Sequence, residues 1–289
     1  MMARAGTITQ SSPYQFFGTF GGVPFWPGSL TLLPASPGAG KTSLLLKMVF
    51  EAASVGLPSA MACYEHTEAE MKFRLRRQAQ AMVAGAHAAL DEETTEAQLA
   101  RCSAAVLLAT YYKEHTIRSI EDELLKMYQF PEVGAALVAV DYLNVIPVVG
   151  LTGLVPVEYR SGEAAAALRE VAKRHGWAII AAAALKSDAF TKTQPGLEDL
   201  FGDERVPYEA DRVIFLRKDE LPRQCGCVHL TALTMKDRTD KIRTWPMDFW
   251  GERFYPALEA DFSRHGDVHC FLKGAASQAT HGATAHVSA

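Results

Sequence analysis

Lys41 and Thr42 stand directly behind two glycines, Gly38 and Gly40, in the stretch "LPASPGAGKTS". An ammonium, a hydroxyl and glycines that allow sharp turns are the groups that hold a polyphosphate. Gly38 and Gly40 let backbone N–H groups close around phosphate oxygens, and the helix that follows adds the positive end of its dipole. Lys41 would reach the β- and γ-phosphates of ATP, and the Thr42 hydroxyl would bind Mg²⁺. The expected ATP-binding loop is Ala35, Ser36, Pro37, Gly38, Ala39, Gly40, Lys41, Thr42 and Ser43. Its first position departs from the signature G-x-x-x-x-G-K-[ST], which begins with glycine. Alanine is tolerable there if that residue needs no positive φ. The plain alternative is a chance match in an ordinary strand-to-helix turn.

Two carboxylates could complete such a site. Asp141 closes the apolar run "LVAVD", and Glu65 follows another in "CYEHT". In open parallel sheets the groups that act on a ligand emerge at the carboxyl ends of strands. Asp141 there suits Mg²⁺, and Glu65 suits polarising a water toward the γ-phosphate. Each also has a bland role open to it, Asp141 as the cap of a turn and Glu65 as a surface acid opening a loop. Cys225, Cys227 and His229 form a weak zinc signal, because C-x-C on a strand-like run lacks the usual ligand spacing; buried thiols are expected instead.

The elements that must position these groups alternate between strand and helix, the pattern of a parallel sheet with crossover helices. Leu30–Leu33 reads as a strand and Thr42–Val55 as the helix behind the loop, stopped by Gly56. Pro58–Glu65 is a second strand. Thr67, with Glu70 three residues on, opens a helix through a capping box, and Lys72, Arg74, Arg76 and Arg77 give that helix a solvated basic face. Ala84–Ser103 reads as helical, "AAVLLATYY" as a strand, and "TIRSIEDELLKMY" as a helix with Ile117, Ile120, Leu124 and Met127 on one stripe. After the strand ending at Asp141 come a Gly/Pro/Val loop and the helix "EAAAALREVAKRHG". The strands "WAIIAAAAL" and "DRVIFLR" follow, then a hairpin over "VHLTALTMKDRTDKIRTWPMDF". The fold class expected is α/β, with a mostly parallel sheet flanked by helices and a C-terminal β-hairpin. Residues 1–272 form one domain, and the small, polar run 273–289 is expected to be a disordered tail.

Composition narrows the function classes. The chain has 289 residues, 48% of them hydrophobic, enough for a sizeable core. No apolar run reaches the length of a membrane span, and the N-terminus lacks a signal-peptide core, so the expectation is a cytoplasmic protein with no membrane partner. The net charge of −4 means that any nucleic-acid contact must come from local basic loops.

The segments "PGSLTLLPASPGAGKTS", "YEHTEAEMKFRL", "LVAVDYLNVIPV", "LEDLFGDERVPYEADRVIFLRKDE" and "TMKDRT" occur in an order that resembles the RecA-like ATPase domain of DnaB-type hexameric helicases. The resemblance runs from about Phe17 to Tyr255, and RecA and KaiC relatives share the architecture. It implies an ATP- and Mg²⁺-dependent ring homo-oligomer, a hexamer, that moves on single-stranded DNA. It makes Glu65 the catalytic carboxylate, Asp141 the Mg²⁺-side aspartate, and Ala35 an ordinary family variant. Lys236 and Arg238, two apart on a strand and so on one face, become the pair that enters the neighbouring subunit's ATP site, with Arg238 as a finger in trans. The loops implied to face DNA are Val148–Arg160 and Lys186–Leu200, offering Arg160, Lys186 and Lys192; a ring multiplies such contacts. Two departures are visible. Ala184 occupies the place of a polar sensor, for which Lys186 or Asp188 could substitute, and the family's N-terminal domain is not expected. The rival expectation is a KaiC-like regulatory or assembly ATPase that switches a protein partner; a scaffold that holds ATP without turnover is a third.

Overall fold

The alternation of apolar runs and helical stretches becomes, in a computed structural model, a nine-stranded sheet with helices on both faces. The structure describes residues 14–15, 24–84, 92–100, 105–110, 115–127, 136–148, 150, 155–192, 194–218, 228–238 and 242–257. The expected tail 273–289, most of the loop after Val148, and Cys225 and Cys227 lie outside them, as does the side chain of His229. A short ribbon, β1 (Tyr14–Gln15) with β2 (Pro24–Phe25), precedes the sheet.

The sheet is built from β3 (Leu30–Ala35), β4 (Ser59–Cys63), β5 (Ala105–Thr110), β6 (Leu137–Asp141), β7 (Ala178–Ala184), β8 (Arg212–Lys218), β9 (Val228–Asp237), β10 (Thr244–Trp250) and β11 (Tyr255–Ala257). Their spatial order is β11-β10-β9-β8-β3-β7-β6-β4-β5. From β5 to β8 every pairing is parallel, and β9, β10 and β11 extend the sheet antiparallel, with the expected hairpin between β9 and β10.

Alternating side chains feed two cores. Leu30 and Leu32 face the cluster under α4 (Ile117–Met127) and α5 (Val157–His175), whereas Leu33 and Ala35 face α1 (Lys41–Ser54). A strand buried on both faces reads as a continuous apolar run, which is why "LTLLPA" shows no polar alternation. Ile117, Ile120 and Leu124 are buried, as the stripe predicted. In α2 (Glu68–Ala84) the capping box is present: the Thr67 amide donates to the Glu70 carboxylate at 2.8 Å, and the Glu70 amide to the Thr67 hydroxyl at 3.3 Å. Helices α3 (Glu92–Ala100) and α6 (Arg205–Glu209) complete the α-helices among the described residues.

Two features of the helices differ from expectation. Helix α5 begins at Val157, six residues before Glu163, so Arg160 sits in its first turn and not on a loop. Gly162 lies inside the helix, at a point where a Cβ would come within 2.2 Å of an Asp203 carboxylate oxygen. The basic face of α2 is also not uniformly solvated. Lys72 pairs with Glu68, and Arg76 pairs with Glu92 and Glu96 of α3, but Arg74 turns into the cleft described below.

Candidate functional site

Parallel strands that all point one way deliver their carboxyl ends to one edge of the sheet. The end of β3, the residues after β4, and the ends of β6, β7 and β8 therefore converge. The 35–43 loop, Glu65, Asp141 and Ala184 share that edge, around a cleft of about 420 Å³.

Ala35 is the last residue of β3, paired with Ala184 and Leu216, and its φ is negative like that of its strand. The condition for alanine at the first loop position is thus met. Gly38 and Gly40 carry φ of 69° and 87°, which a side chain would strain. A Cβ on Gly40 would also press on Phe249 at 3.2 Å. Gly40 starts α1 with no side-chain cap, leaving the helix N-terminus to whatever anion enters the loop. The Lys41 ammonium donates to the carbonyls of Ala35 and Ser36 at 3.1 and 3.3 Å. Burial holds it below the usual lysine range, with the charges of Asp141 and Glu65 pulling the other way.

Asp141 is fully buried. Its Oδ2 accepts the Thr42 hydroxyl at 2.6 Å, and its Oδ1 has no hydrogen-bond partner among the described residues. Burial pushes its carboxyl above the usual range, against the Thr42 hydrogen bond. The same burial, with Asp141 adding to it, pushes the neighbouring Cys63 thiol up to about 12. Glu65 is exposed, just beyond β4. It is brought beside Asp141 because the Tyr64 amide donates to the Asp141 carbonyl at 2.6 Å. This donor set fits Mg²⁺ with a phosphate chain: a hydroxyl and an oxygen ligand lacking a partner sit beside a lysine and an uncapped helix start.

Lys236 and Arg238 share a face, as two-apart residues should. Both donate to the Tyr208 carbonyl, at 3.2 and 2.7 Å, and Lys236 also to that of Pro207 at 2.6 Å. They lie at the opposite edge of the sheet from the loop. The Arg238 amide bonds the Asp211 carbonyl, and the Asp211 amide bonds that of Leu30, where β3 begins. A strand of this length separates them from Ala35 by roughly 16 Å. Asp237, between them on β9, points to the other face and holds Arg212 at 2.6 Å.

Arg160, Lys186 and Lys192 are held separately. The Nε of Arg160 is buried without a partner, Lys186 donates to the Glu198 carbonyl at 2.6 Å, and Lys192 pairs with Asp199. Lys186 shares a second cleft with Lys236. Ala184 lines the first cleft, beside the 35–43 loop, and its amide donates to the Asn144 side chain at 2.8 Å.

Several lining residues escaped the sequence reading: Arg74, Tyr142, Phe190, Phe249 and Phe254. The Arg74 guanidinium stands 5.1 Å from the Phe254 ring centre, and Lys218, at the end of β8, approaches Gly38. No spacing signal links them to the loop. They arrive through tertiary packing.

Residues 19–254 match the family described as the DnaB-like helicase C terminal domain. Among solved structures, the chain is similar to the ATPase domain of G40P, at 17% identity and TM-score 0.67, covering 81% of this chain and 86% of that one. It is similar also to a DnaB-like replicative helicase studied with primase, at 17% identity and TM-score 0.68; there it spans 58% of that chain and 81% of its own. Comparison with curated proteins gives no match.

Proposed function

The chain belongs to the DnaB-like helicase C-terminal domain family, and from that premise we propose that it is an ATP-hydrolysing, ring-forming motor on single-stranded DNA. The observation that carries the proposal is the convergence of Lys41, Thr42, Glu65 and Asp141 at one sheet edge, with Lys236 and Arg238 at the other.

In this reading the 35–43 loop and Lys41 hold the phosphates of ATP. Thr42 and Asp141 hold Mg²⁺, which when bound spreads the phosphate charge. Glu65 orients a water in line with the γ-phosphate and accepts its proton. Arg238 is too far from the loop of its own chain to neutralise charge there, so it serves the loop of a neighbour, with Lys236 beside it. A hexameric ring supplies that neighbour at every site. Arg160, Lys186 and Lys192 contact the DNA backbone, the two lysines exchanging their internal partners for phosphates.

Those internal partners, together with Ala184 in the sensor's place, favour a second reading, a KaiC-like ATPase that switches a protein partner. The ATPase rate with and without single-stranded DNA separates the two. Stimulation that weakens steeply with salt is the result expected of the motor. A flat response selects the switch, and no turnover at all defeats both.

A further inference from the structure

His66 has no part in the reading above. Its ring, the Glu65 carboxylate and the Asp141 carboxylate each present a ligand atom, and the three atoms lie within 4.8 Å of one another. Asp141 is fully buried, and its Oδ1 has no hydrogen-bond partner among the described residues. A buried carboxylate oxygen in that state is costly unless a donor or a cation meets it.

We propose that Glu65, His66 and Asp141 form a binding site for a Zn²⁺-class divalent ion in the nucleotide-free protein, with a ligand set different from that of the Mg²⁺ accompanying ATP. Mg²⁺ takes oxygen ligands in a near-octahedral shell and keeps several waters, and an imidazole adds little to its binding. Zn²⁺ and Co²⁺ gain from imidazole and accept carboxylates, so two carboxylates and one histidine rank them well above Mg²⁺. Bonds of about 2.1 Å place two ligand atoms at most about 4.2 Å apart. Closing the group therefore needs small movements, and Glu65, exposed beyond the end of β4, is free to make them. Three protein ligands leave a position open to water.

The consequence for catalysis rests on the proposed function. A Zn²⁺ ion here occupies the carboxylate assigned to the water and the aspartate assigned to Mg²⁺, so it blocks turnover. The binding itself does not depend on that function.

The test titrates the metal-stripped full-length protein, without nucleotide, with Co²⁺ and then displaces it with Zn²⁺. One equivalent should bind, with visible bands and no strong near-ultraviolet thiolate band. His66→Ala and Asp141→Asn should each weaken it at least about tenfold, since losing a ligand should cost no less than losing a partner behind one. His66→Gln keeps size and polarity and replaces the alanine variant if that one melts early. A Cys225→Ser/Cys227→Ser variant should bind Co²⁺ like the parent. The proposal is overturned by absence of stoichiometric binding, by undiminished binding in the His66 variants, or by thiolate bands that vanish in the cysteine variant. In a second arm Zn²⁺ is added during Mg²⁺–ATP turnover, and each protein is scored against its own uninhibited rate. The inhibitory midpoint should rise at least about tenfold in the His66 variant. A parent that binds Co²⁺ yet never turns over ATP defeats the proposed function and leaves the metal site standing.

Discussion

At the scale of single residues the most informative group is Asp141. Its Oδ2 is satisfied by Thr42 and its Oδ1 by nothing, in a position with no solvent contact. Such a group is placed for a ligand and carries a cost to the unliganded fold. Asp141→Asn keeps the shape and an acceptor for the Thr42 hydroxyl while removing the buried charge. The expected outcome is a ligand-free protein stabilised by about 1 kcal/mol, or ~2–4 °C in melting temperature, with Mg²⁺-dependent ATP turnover lost. A melting temperature below the parent's shows that the carboxylate is stabilising as it stands. Lys41 and Thr42 were legible as candidates in the sequence because a glycine turn followed by a helix is a local motif, whose groups are adjacent in the chain. Arg74 and Phe254 were not, because their place in the cleft comes from α2 and the segment before β11 folding over it.

At the scale of elements the β8–β9 pairing sets where the Lys236 and Arg238 pair stands. Asp237 lies between them on β9, and strand alternation turns it to the opposite face, onto Arg212 at 2.6 Å. Both side chains are nearly inaccessible, Arg212 at 4% and Asp237 at 3%. Asp237→Ala takes the carboxylate from a buried guanidinium, and the expected cost is about 3–5 kcal/mol. A denaturant midpoint read with the slope checks it, and a loss below ~1 kcal/mol shows the pair to be dispensable. The strands themselves were readable from apolar runs, though β3 ends at Ala35 and not at Leu33, and β4 at Cys63 and not at Glu65; the capping box of α2 was readable from Thr67 and Glu70. The start of α5 was not, since its first turn, Val157–Arg160, runs on from the Gly/Pro/Val segment and was read with it as loop.

At the scale of the whole molecule the sheet separates the two halves of the proposed catalytic set, and the resulting prediction concerns assembly. Glu65→Gln and Arg238→Ala should each be inactive alone, the first for want of a water-orienting carboxylate and the second for want of a neighbour's charge. Mixed under conditions of subunit exchange, they form some interfaces in which an intact Lys41, Glu65 and Asp141 site meets an intact Arg238. Activity should reappear there, and specific activity of the parent should rise with protein concentration. Full activity of Arg238→Ala alone, or an exchanging mixture that stays inactive, removes the finger in trans. The sequence by itself determined the α/β class, the glycine turn between β3 and α1, and the placing of Asp141 at the end of an apolar strand, because these follow from local spacing and from buried strands that must be apolar on both faces. Only the tertiary structure decided that Asp141 and Glu65 meet, that His66 joins them, that Arg160 belongs to a helix, and that Lys186 and Lys192 already have partners. Asp141 meets Glu65 and His66 across more than 70 residues of chain, and even the nearer pairs, such as Lys192 with Asp199, depend on how a loop folds; such side-chain pairings leave no periodicity in the sequence to read.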